Sequence, residues 1–163
     1  MAKAVKTNAA RQLDQLKIPY RVVAYDIDPA DLSAGAAAQK LGRPVEEVFK
    51  TLVAVGDRNG PCFAVLAGPD ELDLKALARC TQDRRIALAP LKDVQRLTGY
   101  HRGGVSVFGA KKPLPVFVDA AIETHPEISV SAGQRGLQLY MRPEHFIRAS
   151  QATVAKIART NDE

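Results

Sequence analysis

Residues 49–67, FKTLVAVGDRNGPCFAVLA, decide the fold more than any other stretch of the chain. Phe49 to Val55 and Cys62 to Ala67 are rich in apolar and β-branched residues, which favour strands. The polar stretch Asp57-Arg58-Asn59-Gly60 lies between them and has the composition of a hairpin turn. The stretch therefore predicts two antiparallel strands joined by a tight turn.

Single helices and further strands surround this hairpin on both sides. On the N-terminal side, periodicity and capping residues predict a helix through Val5, Ala9, Leu13 and Leu16 that Pro19 ends, a strand at Tyr20–Tyr25, a Ser33-capped helix at Ala34–Leu41 closed by Gly42, and a helical turn at Pro44–Val48. On the C-terminal side they predict an Asp73-capped helix at Leu74–Cys80, a strand at Arg85–Ala89, a helix at Pro90–Thr98, a strand at Val116–Asp119, a hairpin of Ile128–Ser131 and Leu137–Met141, a helix from Pro143 to about Ser150, and a polar tail after Thr160.

The order of these elements indicates the fold class. Hairpins and single helices follow one another without the strict strand–helix alternation of a doubly wound parallel sheet. We therefore expect an α+β fold with a mixed, curved or barrel-like sheet and helices packed around it. The length of 163 residues suits one domain, residues 1–163, with one sizeable core.

Composition indicates an ordinary globular protein. Hydrophobic residues make up 46% of the chain and charged residues 25%, and no apolar run approaches the roughly 18 residues of a membrane span. The basic N-terminus lacks an apolar signal core, so we expect a cytoplasmic protein that binds no membrane. The net charge of +5 suits a polyanionic partner such as RNA, or plain solubility, and charge alone does not decide between them.

The cysteines and histidines predict no metal site and no cofactor. Cys62 and Cys80 have no zinc or redox spacing, and each lies in an apolar stretch, which is typical of a reduced, buried thiol. His101, His125 and His145 show no paired spacing for metal ligands.

Two glycine-rich turns lie about thirty residues apart. The first spans Thr98 to Ser106 with the sequence TGYHRGGVS, and the second spans Ser131 to Gly136 with the sequence SAGQRG. Glycine allows close approach of the backbone, and successive N–H groups in such turns form concave sites for anions and carbonyl oxygens. The pair indicates a pocket lined by main chain for a small polar ligand, although either turn alone could be a plain surface hairpin.

Lys50 is the most distinctive charged residue, because it lies among apolar residues where a helical turn meets a strand. It can point inward, with its ammonium at the mouth of a cavity, or outward into solvent. Other polar candidates are Thr98, Tyr100, Ser106, Asp119 and Ser131. No Gly-x-Ser-x-Gly elbow and no Ser–His–Asp pattern is present, so a hydrolase built on these residues would use no covalent protein nucleophile.

Several short motifs together resemble the YbaK/EbsC family, bacterial relatives of the editing domain inserted in prolyl-tRNA synthetases. They occur in the family's order from about Val5 to Ala158: Asp28-Pro29, Leu41-Gly42, Phe49-Lys50-Thr51-Leu52, Leu72-Asp73-Leu74-Lys75, Thr98-Gly99-Tyr100, Gly103-Gly104-Val105-Ser106, and Ser131 with Gly133-Gln134-Arg135-Gly136-Leu137. The resemblance implies a free-standing deacylase that removes the wrong amino acid from mischarged tRNA, chiefly Cys-tRNA(Pro) and also Cys-tRNA(Cys). It implies a barrel-like mixed sheet as well.

The resemblance also implies roles for individual residues. Lys50 would hold the terminal adenosine of the tRNA, with its phosphate or the ester region, and Gly103, Gly104 and Ser106 would lie beside the aminoacyl group. Ser131 and Gly133 would form the second wall of the pocket. The remaining substrate-binding candidates are Tyr25, Thr51, Thr98, Tyr100, Asp119 and Arg135. Either the cysteine thiol attacks its own ester to give a thiolactone, or a positioned water cleaves the ester.

Four candidate substrate-binding positions depart from the family pattern. Ala34 stands where an aromatic residue is common, Val107 replaces a proline, Ala132 replaces a glycine, and Gln138 occupies an aspartate position. These changes are expected to affect which amino acid is removed. The expected partners are tRNA rather than DNA, and prolyl-tRNA synthetase in a transient complex. The alternative hypothesis is a non-catalytic module of the same fold that binds tRNA or a nucleotide.

Overall fold

The computed structural model describes residues 6–159. These residues form five α-helices, α1 to α5, at Asn8–Gln15, Ala34–Leu41, Leu74–Thr81, Leu91–Thr98 and Pro143–Ser150. Two short 3₁₀ turns lie at Val45–Glu47 and Ala120–Thr124. No helix in this part of the chain is long and apolar enough to span a bilayer.

The strands of the described chain are short except for the central hairpin. In chain order, β1 to β10 are Arg21–Ala24, Phe49–Gly56, Gly60–Ala67, Glu71–Leu72, Ile86–Leu88, Val116–Asp119, Ile128–Ser131, Leu137–Met141, Thr153–Ala155 and Ala158–Arg159. They form a five-stranded sheet in the order β5-β2-β3-β6-β9, a three-stranded sheet in the order β1-β8-β7, and a pair of β10 with β4.

The predicted α+β class with a mixed sheet is confirmed. Strand β2 pairs antiparallel with β3 and β5, whereas β3–β6 and β6–β9 are parallel. A single parallel bridge between Val48 and Ser129 links the two larger sheets. The curved, barrel-like arrangement therefore comes from sheets that lie against each other and do not close into one hydrogen-bonded ring among the described residues.

The β2–β3 hairpin lies at the centre of the core, as its apolar sequence predicts. Its two faces supply both hydrophobic clusters: Phe49, Val53 and Phe63 belong to the larger one, and Ala54 and Ala64 to the smaller one. Burial of a strand on both faces accounts for the nearly continuous apolar run in residues 49–67.

One of the two predicted buried thiols is confirmed. Cys62 is buried, and this burial raises the pKa of its thiol to about 11, whereas Cys80 is only partly buried. Neither cysteine forms a disulfide.

Helix boundaries follow the capping residues closely. The Ser33 hydroxyl accepts a hydrogen bond from the N–H of Ala36 at 3.1 Å, and the Asp73 carboxylate accepts one from Ala76 at 3.1 Å. The first helix differs from the prediction, because Thr7 caps it and it ends at Gln15, well before Pro19. Val5 and the predicted polar tail after Thr160 lie outside the described residues.

Candidate active site

A cavity of about 300 Å³ opens beside the first half of β2. One wall is β2 itself, and another comes from the three-stranded sheet. The start of α2, the β5–α4 junction and the first glycine turn complete the lining. Seven sequence-predicted site residues line it: Tyr25, Ala34, Lys50, Thr51, Gly103, Ser131 and Gln138.

The cavity exists because β2 lacks a full-length neighbour on one side. The carbonyl of Val48 accepts from Gly68 on the β3 side, and that of Val53 accepts from Ala89 on the β5 side. Backbone groups alternate sides along a strand, so the main chain of Thr51 faces away from β3. Strand β5 pairs only with residues 54–56, and the β7 bridge lies at Val48. The cavity fills the gap between these two contacts.

Lys50 points inward and lies half-buried in the cavity wall. Its ammonium donates hydrogen bonds to the carbonyls of Gly68 at 3.1 Å and Asp70 at 2.5 Å. Burial lowers the pKa of the Lys50 ammonium from its ordinary value, and the nearby charges of Asp70 and Glu71 oppose that shift. Two of its three N–H donors are occupied by backbone, which leaves one donor for a ligand.

Gln138 supplies a buried acceptor on the opposite wall. Its side chain is 6% exposed, and its Oε1 has no hydrogen-bond partner. It pairs across β7–β8 with Ser131, so both side chains project from the same face of that sheet. A buried polar atom without a partner is costly unless a ligand or water satisfies it, so Gln138 is a candidate for contact with a bound molecule.

The two glycine-rich turns pack against each other. A Cβ added at Gly104 would lie 3.0 Å from the backbone nitrogen of Arg135 and 3.2 Å from Gln134. The side chain of Arg135 donates through Nε to the carbonyl of Arg102 at 2.7 Å. Gly103, between these contacts, lines the cavity. The second turn therefore holds the first turn against the cavity.

Replacing Gly104 with alanine tests this contact. The neighbouring atoms are main chain and cannot rotate away, so we expect a loss of about 1–3 kcal/mol of stability. We also expect slower turnover, because the first glycine turn would be displaced from the cavity. Gly35→Ala is the matched control, because its Cβ would meet only Ser33 Oγ at 3.8 Å, and in a helix it is expected to be neutral or slightly stabilising. Thermal melts of the two variants, and the rate of the reaction at this site, measure the difference. Equal stability and equal rates in the two variants would contradict the idea that the second glycine turn supports the first.

Three predicted site residues, Thr98, Tyr100 and Ser106, form hydrogen bonds in and beside the first glycine turn and do not line the cavity. Thr98 Oγ1 donates to the carbonyl of Val94 at 2.8 Å, the hydroxyl of Tyr100 donates to the carbonyl of Phe108 at 2.7 Å, and Ser106 Oγ accepts from the N–H of Phe108 at 3.2 Å. All three side chains are buried. Their contact with substrate stays a prediction.

The remaining predicted residues are also placed outside the cavity lining. Gly133 has φ +91°, and a Cβ there would lie 2.8 Å from the Tyr100 ring, so the position requires glycine. Ala132 is fully buried, and Val107 packs against the larger core cluster. Asp119 is buried, and its carboxylate accepts backbone N–H groups of residues 121, 157 and 158 at 2.9–3.0 Å.

The sequence did not indicate the other residues that line the cavity, among them Leu32, Leu88, Leu91 and Arg102. Arg102 lies inside the quoted first glycine turn, so its position beside Gly103 was a usable signal. The leucines carry no such signal, because Leu88 and Leu91 have the pattern of ordinary core positions of a strand and a helix, and Leu32 lies in a predicted loop.

The arrangement defines a class of site. It combines an apolar pocket with one ammonium, one unpartnered amide oxygen and a backbone turn, which suits a small polar molecule. Within residues 6–159, no group of three or more His, Cys, Asp or Glu side chains is placed to hold a metal ion. The chemistry available to these residues is electrostatic stabilisation and positioning.

Comparison with known proteins identifies the family. Residues 28–149 match the family described as the aminoacyl-tRNA editing domain. EbsC of Enterococcus faecalis, named as a candidate Cys-tRNA(Pro)/Cys-tRNA(Cys) deacylase, is 40% identical over 152 residues, covering 93% of each chain. ProXp-y of Escherichia coli, named as a multifunctional Ser/Thr-tRNA deacylase, is 26% identical over 91% of this chain and 89% of its own.

A solved structure agrees with these sequence matches. The crystal structure of a candidate trans-editing enzyme for prolyl-tRNA synthetase superposes with a TM-score of 0.82 at 26% identity, covering 97% of this chain and 99% of that one. The chain belongs to the aminoacyl-tRNA editing domain family, and its resemblance to the YbaK/EbsC group is confirmed. Aminoacyl-tRNA is accordingly its class of substrate.

Proposed function

We propose that this chain is a single trans-editing domain that hydrolyses or otherwise releases the amino acid from mischarged tRNA in the cytoplasm. Its main substrate is Cys-tRNA(Pro), with Cys-tRNA(Cys) as a second. The observation that carries the proposal is the cavity, whose mostly apolar lining also contains Lys50 and Gln138 with its unpartnered side-chain oxygen. The relationship to EbsC supports the choice of cysteine.

The size of the cavity fits an aminoacyl group. Its volume of about 300 Å³ lies at the lower end of the range for small-molecule sites, roughly 300–1,000 Å³. An amino acid can therefore enter while the nucleotide that carries it stays at the opening. A second site of this kind is needed because small side-chain differences give a synthetase only ~1–3 kcal/mol of discrimination.

Lys50 is the group that would act on the ester. Attack on the ester carbonyl places negative charge on its oxygen, and a nearby ammonium stabilises that charge. With water as nucleophile, the acyl C–O bond breaks to give the free amino acid and the tRNA hydroxyl. With the substrate thiol as nucleophile, a C–S bond forms, the same C–O bond breaks, and the thiol proton passes to the leaving tRNA oxygen. Neither route needs a protein nucleophile paired with a base, and the residues that line the cavity include no such pair.

Gln138 would accept a hydrogen bond from the α-ammonium of the substrate. Gln138→Leu removes that acceptor at similar volume, so we expect KM to rise about tenfold or more, in keeping with hydrogen bonds to charged groups. Gln95→Leu, on the exposed side of α4, is the matched control. Steady-state deacylation with both variants measures the effect, and an unchanged KM in Gln138→Leu would exclude this role.

The proposal is tested with Cys-tRNA(Pro), Ala-tRNA(Pro) and Ser-tRNA(Pro) side by side, each with and without prolyl-tRNA synthetase. We expect cysteine to be lost fastest, and the synthetase to raise the rate at low protein concentration through a transient complex. Preference for another amino acid would contradict the cysteine assignment and point to Ala34 and Gln138, which both line the cavity. Binding of tRNA without loss of any amino acid would favour the non-catalytic module.

A further inference from the structure

Two exposed leucines stand at the opening of the cavity. Leu88, the last residue of β5, is 51% exposed, and Leu91, the first residue of α4, is 62% exposed. They are the most exposed large hydrophobic side chains among the described residues, and both line the cavity. Neighbouring apolar side chains left open to water beside a pocket indicate a surface that a ligand covers.

The backbone holds both leucines in place. The N–H of Ala89, between them, donates to the carbonyl of Val53 in β2 at 2.9 Å. Leu91 lies one helical turn before Val94, which is buried in the core and also lines the cavity. Leu91 therefore extends the apolar stripe of α4 from the core to the exposed edge of the cavity, and Leu88 lies just before it in the chain.

A cation lies on the first glycine turn, which also lines the cavity. Arg102 is exposed, lines the cavity and has its carbonyl held by the Arg135 side chain at 2.7 Å. The cavity lining thus includes two exposed leucines and an exposed arginine, residue types that suit a base joined to a phosphate.

We propose that this rim is a nucleotide subsite, in which Leu88 and Leu91 pack against the terminal adenine base and Arg102 binds its phosphate. The inference rests on the proposed function, because an aminoacyl group in the cavity places its ribose and base at the opening. The patch of two leucines matches one base. A stable protein interface needs a total buried area of about 1,200–2,000 Å², far more than two side chains provide.

The first test is independent of catalysis. Leucine methyl groups are followed by NMR while adenosine 5′-monophosphate is added, with ribose 5-phosphate as the base-free probe. The ring current of the base should shift the methyl signals of Leu88 and Leu91 but not those of Leu16, which is 47% exposed and does not line the cavity. Shifts that are equal for the two probes, or none, would overturn the subsite.

The second test uses two short esters of the same amino acid. Cysteinyl-adenosine carries the base, whereas cysteinyl-glycerol keeps a neighbouring hydroxyl without it. The double variant Leu88→Ser, Leu91→Ser should lose about tenfold more kcat/KM on the adenosine ester than on the glycerol ester, as expected for loss of one packed base. Leu16→Ser should leave the ratio of the two rates unchanged.

The outcomes separate this inference from the proposed function. Methyl shifts with no deacylation of any tRNA would leave the nucleotide subsite standing and reject the deacylase. Deacylation with an equal loss on both esters in the double variant would reject the subsite and leave the deacylase. A loss confined to assays that contain the synthetase would assign the leucines to a protein contact and also reject the subsite.

Discussion

Replacement of Lys50 with alanine is expected to lower kcat for release of cysteine from Cys-tRNA(Pro) by about 10²–10³-fold, the usual loss when one oxyanion-stabilising donor is removed. The reason is that Lys50 is the only ammonium among the residues that line the cavity. Because the group acts on charge that develops during the reaction, KM should change much less than kcat. Single-turnover and steady-state assays separate these two effects.

The controls address the structural role of Lys50. Its ammonium also binds the carbonyls of Gly68 and Asp70, so its loss could loosen the turn after β3. Lys50→Met keeps the aliphatic stem without the charge, and Lys92→Ala removes an exposed ammonium that does not line the cavity. Unchanged kcat in a folded Lys50→Met protein would remove Lys50 from the mechanism.

Replacement of Asp119 with alanine is expected to cost about 3 kcal/mol or more of folding free energy. Its carboxylate accepts N–H groups of Ala121, Ile157 and Ala158, and each buried donor left unpaired costs about 1–3 kcal/mol. Asp119→Asn, which keeps the shape and one acceptor, should lie between the wild type and alanine. Chemical denaturation measures all three proteins.

This result decides between two roles for Asp119. Asp26→Ala, at an exposed position, serves as control and should change stability by no more than about 0.5 kcal/mol. If Asp119→Ala kept full stability but lost deacylation, the residue would act on substrate, as the sequence predicts, and the structural role would be wrong.

Local sequence signals predicted much of the fold. The caps Ser33 and Asp73 mark the starts of α2 and α3, and the apolar run at residues 49–67 forms the central hairpin. Each of these signals acts over a few residues, through a side chain bonding to nearby backbone or through alternation along one strand. Such signals can be read without knowledge of the rest of the chain.

Elements that depend on distant partners were missed. Glu71–Leu72 and Ala158–Arg159 are two-residue strands that exist only because they pair with each other, and Thr153–Ala155 is a strand only beside β6. The 3₁₀ turn at Ala120–Thr124 likewise follows the Asp119 cap, which the sequence analysis assigned to the substrate. The strand pairs join positions far apart in sequence, so no local pattern contains them. The Asp119 cap is a local contact, because its carboxylate accepts the N–H of Ala121 two residues later, and this capping signal was overlooked.

The candidate site also has some features that local sequence predicted and others that it did not. The two glycine turns were recognised from composition, and the structure shows them in contact at Gly104 and Arg135. The sequence alone could not show that Lys50 points inward. Both faces of the buried hairpin are apolar, so the usual alternation of polar and apolar residues does not tell the inner face from the outer one. The rim leucines, Leu88 and Leu91, become visible only when the end of β5 and the start of α4 are placed beside the cavity.

The most direct test of the deacylase assignment is a single-turnover assay of purified Cys-tRNA(Pro) with excess wild-type protein and no synthetase. We predict that the cysteinyl ester is lost far faster than in buffer, and that Lys50→Met in the same assay returns the rate close to that background. Loss at the buffer rate with the wild-type protein, under conditions where it binds the tRNA, would contradict the deacylase assignment.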